Sequence, residues 1–159
     1  MASIREKTLQ GLAAGDSFSV TRTFTEKDMV FFADITRDYN PVHFDGRFSA
    51  AKRFHGRICH GLLAASLITE IGGQIGWLAT GMDFRFKKPV YFEDTITCHF
   101  TIASTDEKGR AKARAIYINQ DDKVVIEASI SGRLPNAKER RIMSQMVAEG
   151  DPTNKRNFT

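Results

Sequence analysis

Residues 61–79 read GLLAASLITEIGGQIGWLA. Leu62, Leu63, Ala65, Leu67, Ile68, Ile71 and Ile75 cover more than one face at the 3.6-residue period. A helix that is apolar on several faces must be surrounded by protein or by lipid. Glu70, Gln74 and the glycines at 72, 73 and 76 argue against lipid, as does the lack of a second comparable run. The spacing therefore predicts a central buried helix ending near Gly72-Gly73, and no membrane association.

Downstream the period changes from 3.6 to 2. Met82, Phe84 and Phe86 alternate with Asp83, Arg85 and Lys87; Ile96, Cys98, Phe100 and Ile102 alternate with Thr97, His99 and Thr101. The pattern returns at Val124, Ile126, Ala128 and Ile130, after a strand over 110–119 and a polar turn over 119–122. Upstream, Ser17 to Phe24 reads as a first strand, and Thr25 with Asp28 as a helix cap. Met29, Phe32, Ala33 and Thr36 line one side of the following helix, which Asn40-Pro41 is placed to stop. No crossover helices separate the later strands, so the expected class is α+β: one antiparallel sheet of about five strands wrapped around the buried helix. The expected domain spans 15–134, between an N-terminal extension (1–14) and a C-terminal tail (135–159) with a short helix from Ala137 to Ala148.

A chain of 159 residues fits one domain. Its 42% hydrophobic and 26% charged residues exclude general disorder. The net charge of +4 suits an anionic partner or simply a solvated surface, and part of it sits in the tail, on Lys138, Arg140, Arg141, Lys155 and Arg156. No basic docking element is recognisable, so no nucleic-acid partner is expected. Cys59 and Cys98 make neither a disulfide framework nor a four-cysteine zinc site, and the start, Met1 to Gln10, lacks a signal peptide's apolar core. A reducing cytoplasm is the expected location.

Chemistry concentrates in Asp38-Tyr39-Asn40-Pro41-Val42-His43 and in Cys59-His60-Gly61. An imidazole titrates near neutral pH, making His43 the best general-base candidate, with Asp38 to orient it or to share a water. Five positions apart on a straight helix the two would not face each other; the bend at Asn40-Pro41 removes that objection. The alternative is a structural turn in which Asp38 caps backbone N–H groups. Asn40 either holds this turn or reaches toward water. Gly61 is either a plain helix boundary or a donor of a free N–H to an oxyanion, its lack of a side chain permitting close approach. His60 orients the turn, lines the pocket, or is a satisfied buried histidine. Ser66 and Thr69 touch a ligand or bond to helix carbonyls. A metal site from His43, Asp45, His55 and His60 has enough ligand atoms but no specifying spacing. Cys59 reads as a small buried thiol rather than a nucleophile.

The blocks FFADITRDYNPVHFD (31–45), FHGRICHGLLAASL (54–67) and FRFKKPVYFEDTI (84–96) resemble the MaoC-like dehydratases, including the (R)-specific enoyl-CoA hydratases, over residues 15–132. That resemblance implies a hot-dog fold, usually dimeric. It implies a lyase that reversibly hydrates trans-2-enoyl-CoA to (R)-3-hydroxyacyl-CoA, with Asp38 and His43 activating water and Gly61 N–H supporting the thioester oxygen. Asn40, His60 and a hydroxyl at Thr69 or Ser66 would line the substrate site. The implied partners are enoyl-CoA or hydroxyacyl-CoA, or an acyl-carrier-protein thioester, and a second copy of the chain; no metal or redox cofactor is implied. Arg47, Lys52, Arg53 and Arg57 are candidates for coenzyme A phosphates, or ordinary solvated cations. The family's glycine in the later turn is Glu93 here. Two competing readings stay open: an acyl-thioester hydrolase of the same fold, and an acyl-CoA-binding domain without turnover.

Overall fold

The computed structural model describes residues 3–151, 153 and 154; Met1, Lys155 and Arg156 lie outside the described residues. Five antiparallel strands, β1 (Ser17–Thr23), β2 (Leu78–Phe86), β3 (Thr95–Thr105), β4 (Arg110–Ile118) and β5 (Val124–Arg133), form one sheet in the order β1-β3-β4-β5-β2. The sheet wraps around the predicted central segment, in the hot-dog arrangement. Ile96, Cys98, Phe100 and Ile102 of β3 and Ala111, Ala113, Ala115 and Tyr117 of β4 point inward, all nearly inaccessible. Their alternating partners stay exposed, which fixes the register, because a one-residue slip would turn the apolar face to water. Ala113 and Ala115 of β4 share one buried cluster with Ile68, Ile71 and Ile75 of the central segment, which lies against β1 and β3.

The central segment is two helices, α5 (Gly61–Ala65) and α6 (Leu67–Ile75), interrupted at Ser66. The Tyr117 hydroxyl donates to the Ala65 carbonyl at 2.8 Å, and Ser66 Oγ donates to the Leu63 carbonyl at 2.6 Å. These bonds satisfy carbonyls at the interruption. The C-terminus runs past the expected Gly72-Gly73 to Gly76, whose φ of 75° makes the left-handed cap that glycine favours.

Upstream, α2 (Glu26–Thr36) begins at the expected Thr25/Asp28 capping box. It ends before Asn40-Pro41, at Arg37 in a left-handed conformation (φ 59°). Pro41 does not stop this helix but opens a new single turn, α3 (Pro41–Phe44), followed by α4 (Gly46–Ala51). Proline's fixed φ and missing N–H suit the first helical position, so the residue expected to break a helix starts one. The remaining two helices, α1 (Ile4–Gln10) and α7 (Ala137–Ala148), pack against one another. Arg5, almost fully buried, donates to the Gln74 and Gly73 carbonyls at the end of α6 and pairs with Asp151 at 3.1 Å, fastening both terminal segments to the central helix. Among the described residues, no helix is long and apolar enough to cross a membrane.

Candidate active site

The Asn40 side chain accepts from Val42 N–H and caps α3, while the Asn40 N–H donates to Asp38 Oδ1 at 3.1 Å. This local bonding turns the chain sharply between Asp38 and His43. His43 becomes buried on α3, and the Asp38 side chain stays half exposed at the wall of a cavity. His43 Nε2 then stands 3.9 Å from Asp38 Oδ2.

Tautomers follow from the partners. His43 Nδ1 donates to the Ile58 carbonyl at 2.8 Å, which leaves the Nε2 lone pair facing Asp38. His60 Nε2 donates to the Asp38 backbone carbonyl at 2.8 Å, and its ring stacks on His43 with centroids 3.7 Å apart. Burial pushes the His43 imidazole below its ordinary value of 6.5; the Ile58 carbonyl opposes that shift, His60 adds to it, and Asp38 opposes it. His43 is thus held neutral, as a proton acceptor must be.

Gly61 is the first residue of α5, and α5 has no side-chain cap. Among the described residues, the Gly61 N–H has no hydrogen-bond acceptor, as expected for the first turn of a helix. Gly61 lines the same cavity as Asp38, His43 and His60. A Cβ here would sit 2.8 Å from Cε1 of Phe86, so any larger residue would have to displace the half-exposed Phe86 ring from the cavity wall. The cavity, of about 640 Å³, continues between Phe32, Phe54, Ile58, Cys59, Val90 and Ile126. These walls are apolar and suit an acyl chain. Burial pushes the Cys59 thiol up to about 12, so it contributes bulk rather than a thiolate.

The remaining candidates distribute as follows. Asn40 shapes the turn and is not among the cavity-lining residues; Ser66 and Thr69 donate to the Leu63 and Ser66 carbonyls and do not line it either. The cavity's cations are Lys87 and Lys88 rather than the basic residues between 47 and 57. Of those, Arg47 bonds Asp45, Arg57 bonds Glu26 and Lys52 lies over Phe48. Asp38, His43 and His60 bring potential metal-ligand atoms within 4.8 Å, whereas His55 stacks on Tyr91 instead. His60 Nε2 is spent as a donor to the Asp38 carbonyl, which leaves His43 Nε2 and Asp38 Oδ2 facing each other across the gap. The Ile58 carbonyl and Phe86 were not legible as site components: any residue type supplies a carbonyl, and Phe86 read as one more inward strand residue.

Residues 12–123 match the family described as MaoC like domain. The chain is 30% identical over 141 residues to a mitochondrial 3-hydroxyacyl-[acyl-carrier-protein] dehydratase of Arabidopsis thaliana, covering 85% of this chain and 84% of that one. It is 28% identical to an (R)-specific enoyl-CoA hydratase of Rhodospirillum rubrum, over 79% of this chain and 90% of the relative. Among solved structures, the (R)-hydratase from A. caviae involved in PHA biosynthesis superposes with a TM-score of 0.74 at 28% identity, over 79% of this chain and 99% of that one. Sequence blocks, sheet order and wrapped helix converge on one assignment: the chain belongs to the MaoC-like dehydratase family.

Proposed function

We propose that the protein reversibly adds water to trans-2-enoyl-CoA, giving (R)-3-hydroxyacyl-CoA. Membership of its family makes the chain a hydratase or dehydratase of acyl thioesters; relatives carry both the enoyl-CoA hydratase and the acyl-carrier-protein dehydratase names. The observation that carries the finer reading is the 3.9 Å gap between His43 Nε2 and Asp38 Oδ2, two acceptors at the wall of an apolar cavity. A water about 2.8 Å from each donates one hydrogen to each and keeps a lone pair for C3 of the enoyl group. As the C3–O bond forms, His43 Nε2 takes a proton, and the electron pair of the C2–C3 double bond moves toward the thioester oxygen. The Gly61 N–H stabilises that charge, and the proton taken from the water returns from His43 Nε2 to C2 on the same face, which completes syn addition and regenerates the neutral imidazole.

Lys87 and Lys88 favour a thioester carrying phosphates, and coenzyme A meets that requirement. A homodimer is part of the same reading: β2 is an open edge strand whose Leu78, Met82 and Phe86 are about half exposed or more. Light scattering should give a mass near two 17.8 kDa chains. The buried, unpaired thiols of Cys59 and Cys98 suit a reducing compartment such as the cytoplasm.

Incubation with crotonyl-CoA, without NAD or added metal, tests the reaction class. Product heavier by one water, of (R) configuration and without free thiol, supports hydration. Thiol release identifies a hydrolase, and saturable binding without conversion across short, medium and long enoyl chains identifies a binding domain.

A further inference from the structure

The outer face of the sheet carries a second hollow, of about 560 Å³, at the end of β5 remote from the acyl cavity. Ile126 lines the acyl cavity on the inner face and Arg133 this hollow. Seven residues of strand place them about 23 Å apart. Two irregularities shape the hollow, one where β3 slips against β4 between Ile102 and Ser104, the other where β2 slips against β5 between Ala79 and Gly81. Such bulges locally bend and twist a sheet. They gather the hydroxyls of Thr80, Ser104, Thr105 and Ser131 around Arg110, Lys112 and Arg133.

The charges are unbalanced. Arg110 and Arg133 are direct cross-strand partners, a placement of like charges that costs stability. Asp106 lines the hollow too, but it is committed to Arg110, whose Nε lies 2.6 Å from its carboxylate. Among the described residues, Lys112 and Arg133 have no carboxylate within ion-pair distance. At Gly81, a Cβ would come within 2.9 Å of Ser131 Oγ, so glycine leaves that hydroxyl its room.

We propose that this hollow binds a small phosphate-bearing anion. A tetrahedral oxyanion uses both features at once: its charge offsets the arginine pair and Lys112, and its several acceptor oxygens take the hydroxyl and guanidinium hydrogens. The volume exceeds what one phosphate group fills, which leaves room for an attached sugar or base. The site is separate from the hydration chemistry and stands whether or not that reading holds.

Titration calorimetry of the full chain with inorganic phosphate and, separately, with adenosine 3′,5′-bisphosphate tests the assignment. Saturable binding is expected for at least one probe, weakened tenfold or more by Lys112→Gln with Arg133→Gln and weakened by added salt. Lys27→Gln with Lys123→Gln, which line neither cavity, should leave it unchanged, while Lys87→Gln with Lys88→Gln reads any probe taken up at the acyl cavity instead. Binding of the bisphosphate alone assigns the hollow to a nucleotide, and equal binding of both assigns it to the phosphate group; either supports the site. No saturable binding at millimolar probe overturns it, as does binding lost in the Lys87/Lys88 variant and kept in the Lys112/Arg133 variant.

Discussion

Nε2 of His43 faces Oδ2 of Asp38 across 3.9 Å, too far for a direct hydrogen bond and well matched to one shared water. Both atoms are acceptors, because Nδ1 of His43 already donates to Ile58. The carboxylate and the neutral imidazole therefore orient a nucleophile between them rather than forming an ion pair. The pairing depends on a turn built by Asn40 and Pro41, outside the cavity.

The pH dependence follows from the lowered His43 value. Hydration requires the neutral imidazole, so kcat/KM for crotonyl-CoA should hold down to about pH 6.5, the ordinary imidazole value, and fall below it. Stability changes in the same direction. The unfolded chain binds the proton more readily than the native one, so acid favours unfolding and stability declines as the pH drops through the lowered value. A pH–rate profile together with urea unfolding at pH 5 and 7 checks both. An acid limb clearly above 6.5 would contradict the assignment.

At Gly61 the backbone N–H and the missing side chain can be separated. Gly61→Ala keeps the N–H but drives its Cβ into the Phe86 ring, and should lower kcat/KM tenfold or more. Adding Phe86→Ala should recover most of the loss. Proline is tolerated at a first helical position, and His60, with ψ 131°, is already in the extended region that proline requires before it. Gly61→Pro with Phe86→Ala therefore removes the N–H while keeping the helix. It should cost a further factor of about 10² to 10³ in kcat relative to the alanine pair.

The sequence made the fold legible wherever one period dominated. The alternation from Ile96 to Ile102 and the apolar run from Gly61 required a sheet around a helix, and both elements are where that pattern puts them. The interruption at Ser66 was not legible, because the hydroxyl that bonds the Ala65 carbonyl there comes from Tyr117, 52 positions away. Asp38, His43 and Gly61 could be named, since their chemistry is in their side chains or the lack of one. The Ile58 carbonyl and the His60 bond to the Asp38 backbone could not, being products of the tertiary fold.

Tyr117 accordingly offers a test of the core. Its hydroxyl is inaccessible and satisfies the Ala65 carbonyl. Tyr117→Phe leaves that carbonyl buried without its donor and should cost about 1–3 kcal/mol in denaturant unfolding. A change below about 0.5 kcal/mol would show that the interruption at Ser66 does not need this bond.

Glu93 stands in the turn where the sequence resemblance implies glycine, and it adopts φ 65°, the left-handed region that glycine enters without steric cost. Its N–H donates to the Phe24 carbonyl at 2.8 Å, which holds the turn in place. Glu93→Gly should relieve the strain, partly offset by the greater freedom of glycine in the unfolded chain, for a net gain of up to about 1 kcal/mol. Thermal unfolding would read this as a modest rise in Tm, with crotonyl-CoA turnover unchanged.

The most direct measurement is the turnover of crotonyl-CoA by the wild-type chain, Asp38→Asn, His43→Gln and the double variant, each shown to be folded by circular dichroism. Two groups holding one water act as a unit. Each single variant should therefore fall by a factor of about 10² to 10⁴, and the double variant should fall little further. A folded Asp38→Asn or His43→Gln protein that keeps its rate within tenfold of wild type would contradict the account.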